Sequence, residues 1–203
     1  MPLTAVPADS GDAVSDIELV KRAQGGDSRA FDVLVTKYRG RVYGMTYGLV
    51  QNQDDAWDLA QEAFIKAWKA LGSFKLDSSF YTWLYRIAHN HTYDWLRKRR
   101  LESAGEFDDN RADHQPDPTA EAVPHGTPRP DQEMSRGELK ERIQAAIQQL
   151  SPDHRTAILL KEVEGLKYHE IAEVMGTSIG TVMSRLFYAR KKLQELLKDV
   201  NDG

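Results

Sequence analysis

Apolar residues recur at three- and four-residue spacing over residues 16 to 100 and again over 135 to 197, the period of helices with one buried face. The pattern predicts an all-α chain. DIELVKRAQGGD ends at a glycine pair, SRAFDVLVTKYRGRVYGMTYGLV follows, and DDAWDLAQEAFIKAWKALGSF opens with acids suited to a helix N-terminus. A longer helix, Tyr81 to Arg100, is expected to bury Leu84, Ile87, Ala88, His91 and Trp95 and to show Arg86, Asn90, Tyr93 and Arg97. Helices resume with SRGELKERIQAAIQQL and SPDHRTAILLKEVEG.

Residues 168 to 193, YHEIAEVMGTSIGTVMSRLFYARKKL, read as helix, three-residue turn and helix. Ile171, Ala172 and Met175 line the first helix, Gly176 supplies the turn, Ser178 can cap, and Val182, Leu186, Ala189 and Leu193 continue the apolar stripe. The outer side of the second helix carries Gly180, Thr181, Met183, Ser184, Phe187, Tyr188 and Lys191, flanked by Arg185, Arg190 and Lys192. Small and polar groups near its start suit base edges, and the cations suit phosphates. DNA is therefore the first partner to consider.

A net charge of −4 over 203 residues fits a DNA binder only when divided along the chain. Segment 81 to 100 carries Arg86, Arg97, Lys98, Arg99 and Arg100 against Asp94, and segment 179 to 198 carries Arg185, Arg190, Lys191, Lys192 and Lys198 against Glu195. Between them, 102 to 138 hold ten acids against Arg111, Arg129 and Arg136. Residues 106 to 134 have five prolines and no apolar period, which predicts a flexible acidic linker. Its relaxed span is about 30 Å and its extended reach about 95 Å, so DNA sites about 70 Å apart require it to be pulled out. Two small helical domains are expected, 16–105 and 135–198, after a disordered tail over 1–15. With no cysteine, neither disulfides nor a thiolate zinc site hold the chain together. The N-terminal segment lacks a signal-peptide pattern and no apolar run approaches a membrane span, so a soluble cytoplasmic protein is expected.

The junction GSFKLDSSFYTWL, residues 72 to 84, puts aromatics where a loop is ordinarily polar. Stacking on unpaired bases, worth about 1–3 kcal/mol each, is one reason, with Lys75, Arg86 and the 97 to 100 cluster holding the backbone. The other is that Phe74, Phe80 and Trp83 cap a helical core, the commoner fate of aromatics at such spacing. Asp55, Asp58 and Glu62 form an acidic stripe, with Gln61 adjoining, in an otherwise basic module: either a solvated face or a surface for a protein bearing arginines. His89 and His91 fall on different faces, which argues against joint metal binding. No nucleophile, phosphate loop or metal-ligand spacing accompanies the carboxylates, so no catalytic centre, cofactor, metal or small-molecule substrate is expected.

Three stretches, DDAWDLAQEAFIKAW, SSFYTWLYRIAHN and GTVMSRLFYARKKL, give the chain a family resemblance. It resembles the extracytoplasmic-function sigma factors of bacterial RNA polymerase, a branch of the sigma-70 family, over about residues 16 to 100 and 135 to 197. The resemblance implies a sigma-two helical bundle and a sigma-four helix-turn-helix domain, acting in promoter recognition and transcription initiation, often in stress responses. It implies core-polymerase contact, at the β′ coiled coil, through Asp55, Asp58, Gln61 and Glu62. It implies minus-ten DNA contact through loop 74 to 80, including Phe74, Lys75, Ser78, Ser79 and Phe80, and through Tyr81, Trp83, Arg86 and Asn90. Minus-thirty-five contact falls to Lys161, Thr181, Met183, Ser184, Arg185, Phe187, Tyr188 and Arg190, with the β flap touching the same domain. An anti-sigma factor is expected as a further partner. Met183 and Tyr188 stand where many relatives carry basic residues, and Trp57 replaces a frequent acid beside the β′ stripe. The competing reading is a polymerase-independent regulator that uses the helix-turn-helix alone. A nucleic-acid-processing enzyme would need a metal site.

Overall fold

The computed structural model describes residues 15–106 and 136–198; the expected tail and most of the linker lie outside the described residues. The first module is α1 (Asp16–Gln24), α2 (Ser28–Val50), α3 (Gln53–Ala70) and α4 (Phe80–Glu106), with a 3₁₀ turn over Leu71–Ser73. The second is α5 (Arg136–Gln148), α6 (Pro152–Ile158), α7 (Tyr168–Met175) and α8 (Ile179–Leu196). Helix starts are fixed by short polar caps: Ser15, Asp27, Asn52, Ser151 and Ser178 each accept a hydrogen bond from a backbone N–H three residues on. Gly176 closes α7 at φ 59°, a conformation that costs other residues energy, and its N–H satisfies carbonyls of the last turn. After α6 the backbone widens into a π-helical turn over Leu159–Val163, which no feature of the apolar pattern foretells.

Apolar stripes meet as the periodicity predicts. Leu34, Val42 and Met45 of α2 pack with Ala60, Ala63 and Ala67 of α3 and Leu84 and Ala88 of α4, and Val182, Leu186 and Ala189 of α8 pack with Ile171 and Val174 of α7. The expectation of an outward-facing Arg86 and Tyr93 on α4 needs correcting. The two modules dock, α4 against α7 and α2 against α6, and their buried residues form one continuous cluster. The side of α4 left over by the first module is thereby covered, and Arg86 and Tyr93 are part-buried while Asn90 and Arg97 remain exposed. Gly48 of α2 permits the approach: a Cβ there would lie 2.6 Å from Cδ1 of Leu159.

Candidate nucleic-acid interface

Two faces carry the chemistry expected of DNA contact, and they differ in accessibility. On the first module, Phe74, Phe80 and Trp83 are buried against one another, with Phe74 and Trp83 stacked at 4.7 Å. Of the two readings left open for these rings, the core reading describes this state. They brace the loop before α4, in which Leu76 is held at φ 61°, a left-handed conformation costing roughly 1–2 kcal/mol for a residue with a Cβ. Gln24 ties the loop down by donating to the carbonyls of Leu71 and Phe74 at 2.9 and 2.8 Å. Lys75 and Ser79 are exposed and Ser78 half-buried along the loop. Ser79 also caps α4, its Oγ accepting from the N–H of Thr82 at 3.0 Å.

The opening turns of α4 face the second module instead of solvent. The Tyr81 hydroxyl donates to Glu164 Oε2 at 2.5 Å, and Arg41 holds the same carboxylate at 3.0 Å while its guanidinium lies 4.2 Å from the Tyr81 ring centroid. Burial first, and then the Glu164 charge, push the Tyr81 phenol well above its ordinary range, so it stays a donor. The Thr82 hydroxyl donates to Glu170 at 3.3 Å and Arg86 lies 3.5 Å from Glu173. Further along, the Tyr93 hydroxyl meets Asp153 at 3.1 Å and Thr156 at 3.0 Å, and burial pushes its pKa up to about 12. Arg155 donates to the carbonyl of Leu49 at 3.2 Å and to that of Gln148 at 2.5 Å, joining the C-terminal ends of α2 and α5. Carboxylates of α6, α7 and the turn between them therefore occupy the strip of α4 that its own cations and hydroxyls mark out.

The second face is open. On α8, Met183, Ser184, Phe187, Tyr188 and Lys191 are exposed and Thr181 is half-exposed. Ser178, at the N-cap, lies 2.9 Å from the Thr181 hydroxyl. The basic residues nearby are engaged within the module. Arg185 pairs with Asp153, Arg190 lies 2.7 Å from Glu162, and Lys161 donates to the carbonyl of Leu166 at 3.3 Å beneath Tyr168. Lys191 and Lys192 are exposed along the last turns. On α3, the acidic stripe is split: Asp55 meets Arg99 at 2.8 Å and Glu62 meets His91 Nε2 at 2.7 Å, both reaching to α4, while Asp58 and Gln61 are exposed. Exposed Trp57 stacks on Tyr43 at 4.4 Å beside them. Among the described residues no group of three or more His, Asp or Glu is arranged to hold a metal, and no helix is long and apolar enough to cross a membrane.

The family models Sigma-70 region 2 and Sigma-70 region 4 match residues 34–102 and 140–193. The chain is 44% identical to the RNA polymerase sigma-H factor of Pseudomonas aeruginosa over 190 residues, which is 91% of this chain and 96% of that protein. It belongs to the extracytoplasmic-function sigma factors of the sigma-70 family. The ECF RNA polymerase sigma-E factor of Escherichia coli strain K12 is 38% identical over 91% of this chain and 97% of its own length. Among solved structures it is similar to the sigma factor RpoE of Bartonella quintana in complex with the anti-sigma factor NepR, with TM-score 0.64 and 30% identity over 83% of this chain and 96% of that one.

This sigma factor directs RNA polymerase to promoters, and the region 2 match covers most of α2, all of α3 and most of α4, while the region 4 match runs from within α5 through α6 and α7 to near the end of α8. The residues that sequence reasoning missed are the carboxylates opposite α4: Asp153, Glu164, Glu170 and Glu173. Their signal was faint. Acids set among the cations of a module chosen for phosphate contact are an anomaly of the same kind as the acidic stripe on α3.

Proposed function

We propose that the two faces divide promoter recognition between them. Residues 16–105 act as the sigma-two domain, with Lys75, Ser78, Ser79, Tyr81, Arg86 and Asn90 contacting the separated minus-ten strand and Phe74, Phe80 and Trp83 shaping the loop that receives a base. Residues 135–198 act as the sigma-four domain, with α8 entering the major groove of the minus-thirty-five element. Asp58 and Gln61, beside exposed Trp57, are the centre of the core-polymerase surface, with Asp55 and Glu62 held by α4 at its edge. The observation that carries the assignment is the pairing of an exposed helix-turn-helix outer face with a strained, ring-braced loop at the head of a cationic helix. The docking of α7 on α4 is the arrangement of the chain by itself, and its release precedes capture of a single strand. An anti-sigma partner that holds the two domains away from DNA is supported by the Bartonella quintana complex.

Run-off transcription from a promoter library tests the reading. Core polymerase supplemented with this chain should initiate at a defined set of two-element promoters that core enzyme alone ignores. Absence of initiation, with tight operator binding in the absence of polymerase, would establish the stand-alone regulator instead.

A further inference from the structure

The outer face of α8 is unusual for a surface that meets DNA, because three of its large exposed side chains are a thioether and two aromatic rings. Met183, Phe187 and Tyr188 are 54%, 63% and 58% exposed. Met183 and Phe187 stand one turn apart, as do Ser184 and Tyr188, so the two rows run side by side and the Phe187 and Tyr188 rings meet edge-on at 5.3 Å. Beside them lies a shallow hollow of about 510 Å³ lined by Tyr168, Met183, Phe187, Arg190, Lys191 and Gln194. One turn of helix is about 5.4 Å, or roughly one and a half base-pair steps, so each row addresses neighbouring pairs.

What such a surface reads follows from base-edge chemistry. Guanine presents two acceptors in the major groove and is recognised by an arginine fork, whereas thymine presents a methyl group that apolar side chains contact. Arg185 and Arg190 are committed to Asp153 and Glu162. Ser184 donates its hydroxyl proton to the carbonyl of Thr181 at 2.9 Å, which leaves acceptor lone pairs facing outward, the complement of an adenine N6 amino group. Thioether, rings and acceptor together match A·T pairs better than G·C pairs.

We propose that Met183 and Tyr188, with Phe187 in the Met183 row against the Tyr188 ring, read thymine methyl groups, so that the minus-thirty-five elements this sigma factor selects carry A·T pairs beneath these residues. The proposal rests on the sigma-four assignment above. The test uses holoenzyme assembled from core polymerase and the whole chain. A duplex library randomised in both promoter elements is selected for initiation, and thymines of the selected minus-thirty-five element are then replaced singly by deoxyuridine, which lacks the methyl. At least one replacement should weaken binding about fourfold, the loss that one buried methyl-sized group represents. Met183→Arg or Tyr188→Arg, both at exposed positions, should abolish that sensitivity and move the selected base toward guanine. Selection of guanine by the unaltered chain, or indifference to every deoxyuridine in a selected promoter, would overturn thymine reading and leave the sigma assignment standing. A library from which nothing initiates would overturn both.

Discussion

His89 illustrates how much of this molecule's behaviour rests on individual side chains. It is buried on α4 against the Tyr93 ring, with Asp153 and Arg185 of the second module nearby, and burial above all holds its pKa below the ordinary 6.5. The folded chain keeps the imidazole neutral, whereas the unfolded chain takes up a proton as pH falls through 6.5. Stability contributed by neutral His89 is therefore intact above that value and declines below it. The drop in melting midpoint between about pH 7.5 and 5.5 should shrink in His89→Phe, which keeps a ring against Tyr93; an equal drop in both proteins would refute the account. Trp83 behaves as a core residue, so Trp83→Ala should cost about 3–5 kcal/mol of stability in chemical denaturation. Arg185 differs from Lys191 and Lys192 in having a carboxylate partner. Arg185→Ala should lower the melting midpoint and leave the salt dependence of promoter binding unchanged, while each lysine replaced should reduce the slope of log K against log salt by about 0.9. A reduced slope for Arg185→Ala would show that it leaves Asp153 to grip a phosphate.

At the scale of elements, the turn between α7 and α8 depends on a glycine with a positive φ. Gly176 has open space around it, so Gly176→Ala tests conformation rather than collision, and a loss of about 1 kcal/mol is expected; no loss would mean the turn relaxes into another geometry. Gly48→Ala tests the opposite case, because the new methyl collides with Leu159 across the junction of the modules while α2 itself tolerates alanine well. Most elements were legible in the sequence. The boundaries of α2 follow the stretch from Ser28 to Val50, and the faces of α8 divide as the 100° spacing predicts, with Val182, Leu186 and Ala189 inside and Met183, Phe187 and Tyr188 outside. The outer face of α4 was not legible. Arg86 and Tyr93 look like a surface when read locally, and their partners Glu173 and Asp153 lie 87 and 60 residues away. The π-helical turn after α6 was hidden for a related reason: five residues of unexceptional composition adopt it where Glu164 and Leu159 are drawn against the other module.

For the whole molecule, the docked arrangement combines the shared apolar cluster with polar contacts around Glu164, Glu170 and Glu173, and on the proposed reading loosening those contacts favours separated modules. Glu164 is the most deeply placed, its side chain only 6% exposed, with Arg41 and Tyr81 both upon it. Leaving these cations and hydroxyls without carboxylates should shift the balance by more than a surface ion pair would. The absence of cysteine makes this measurable, since two introduced cysteines, at exposed Lys66 and Lys192, can be labelled cleanly for energy transfer. The triple variant Glu164→Gln, Glu170→Gln, Glu173→Gln should lower transfer efficiency and raise the affinity of the free chain for single-stranded minus-ten DNA by about tenfold or more; unchanged transfer and affinity would disprove the coupling. The unequal exposure of the two faces also has a temporal consequence. On the proposed division of labour, a molecule whose duplex-reading helix is uncovered while most of its strand-holding helix is shielded would survey intact DNA without lodging on replication forks or other stray single strands, and would commit to an unwound site only after a larger machine had drawn its halves apart.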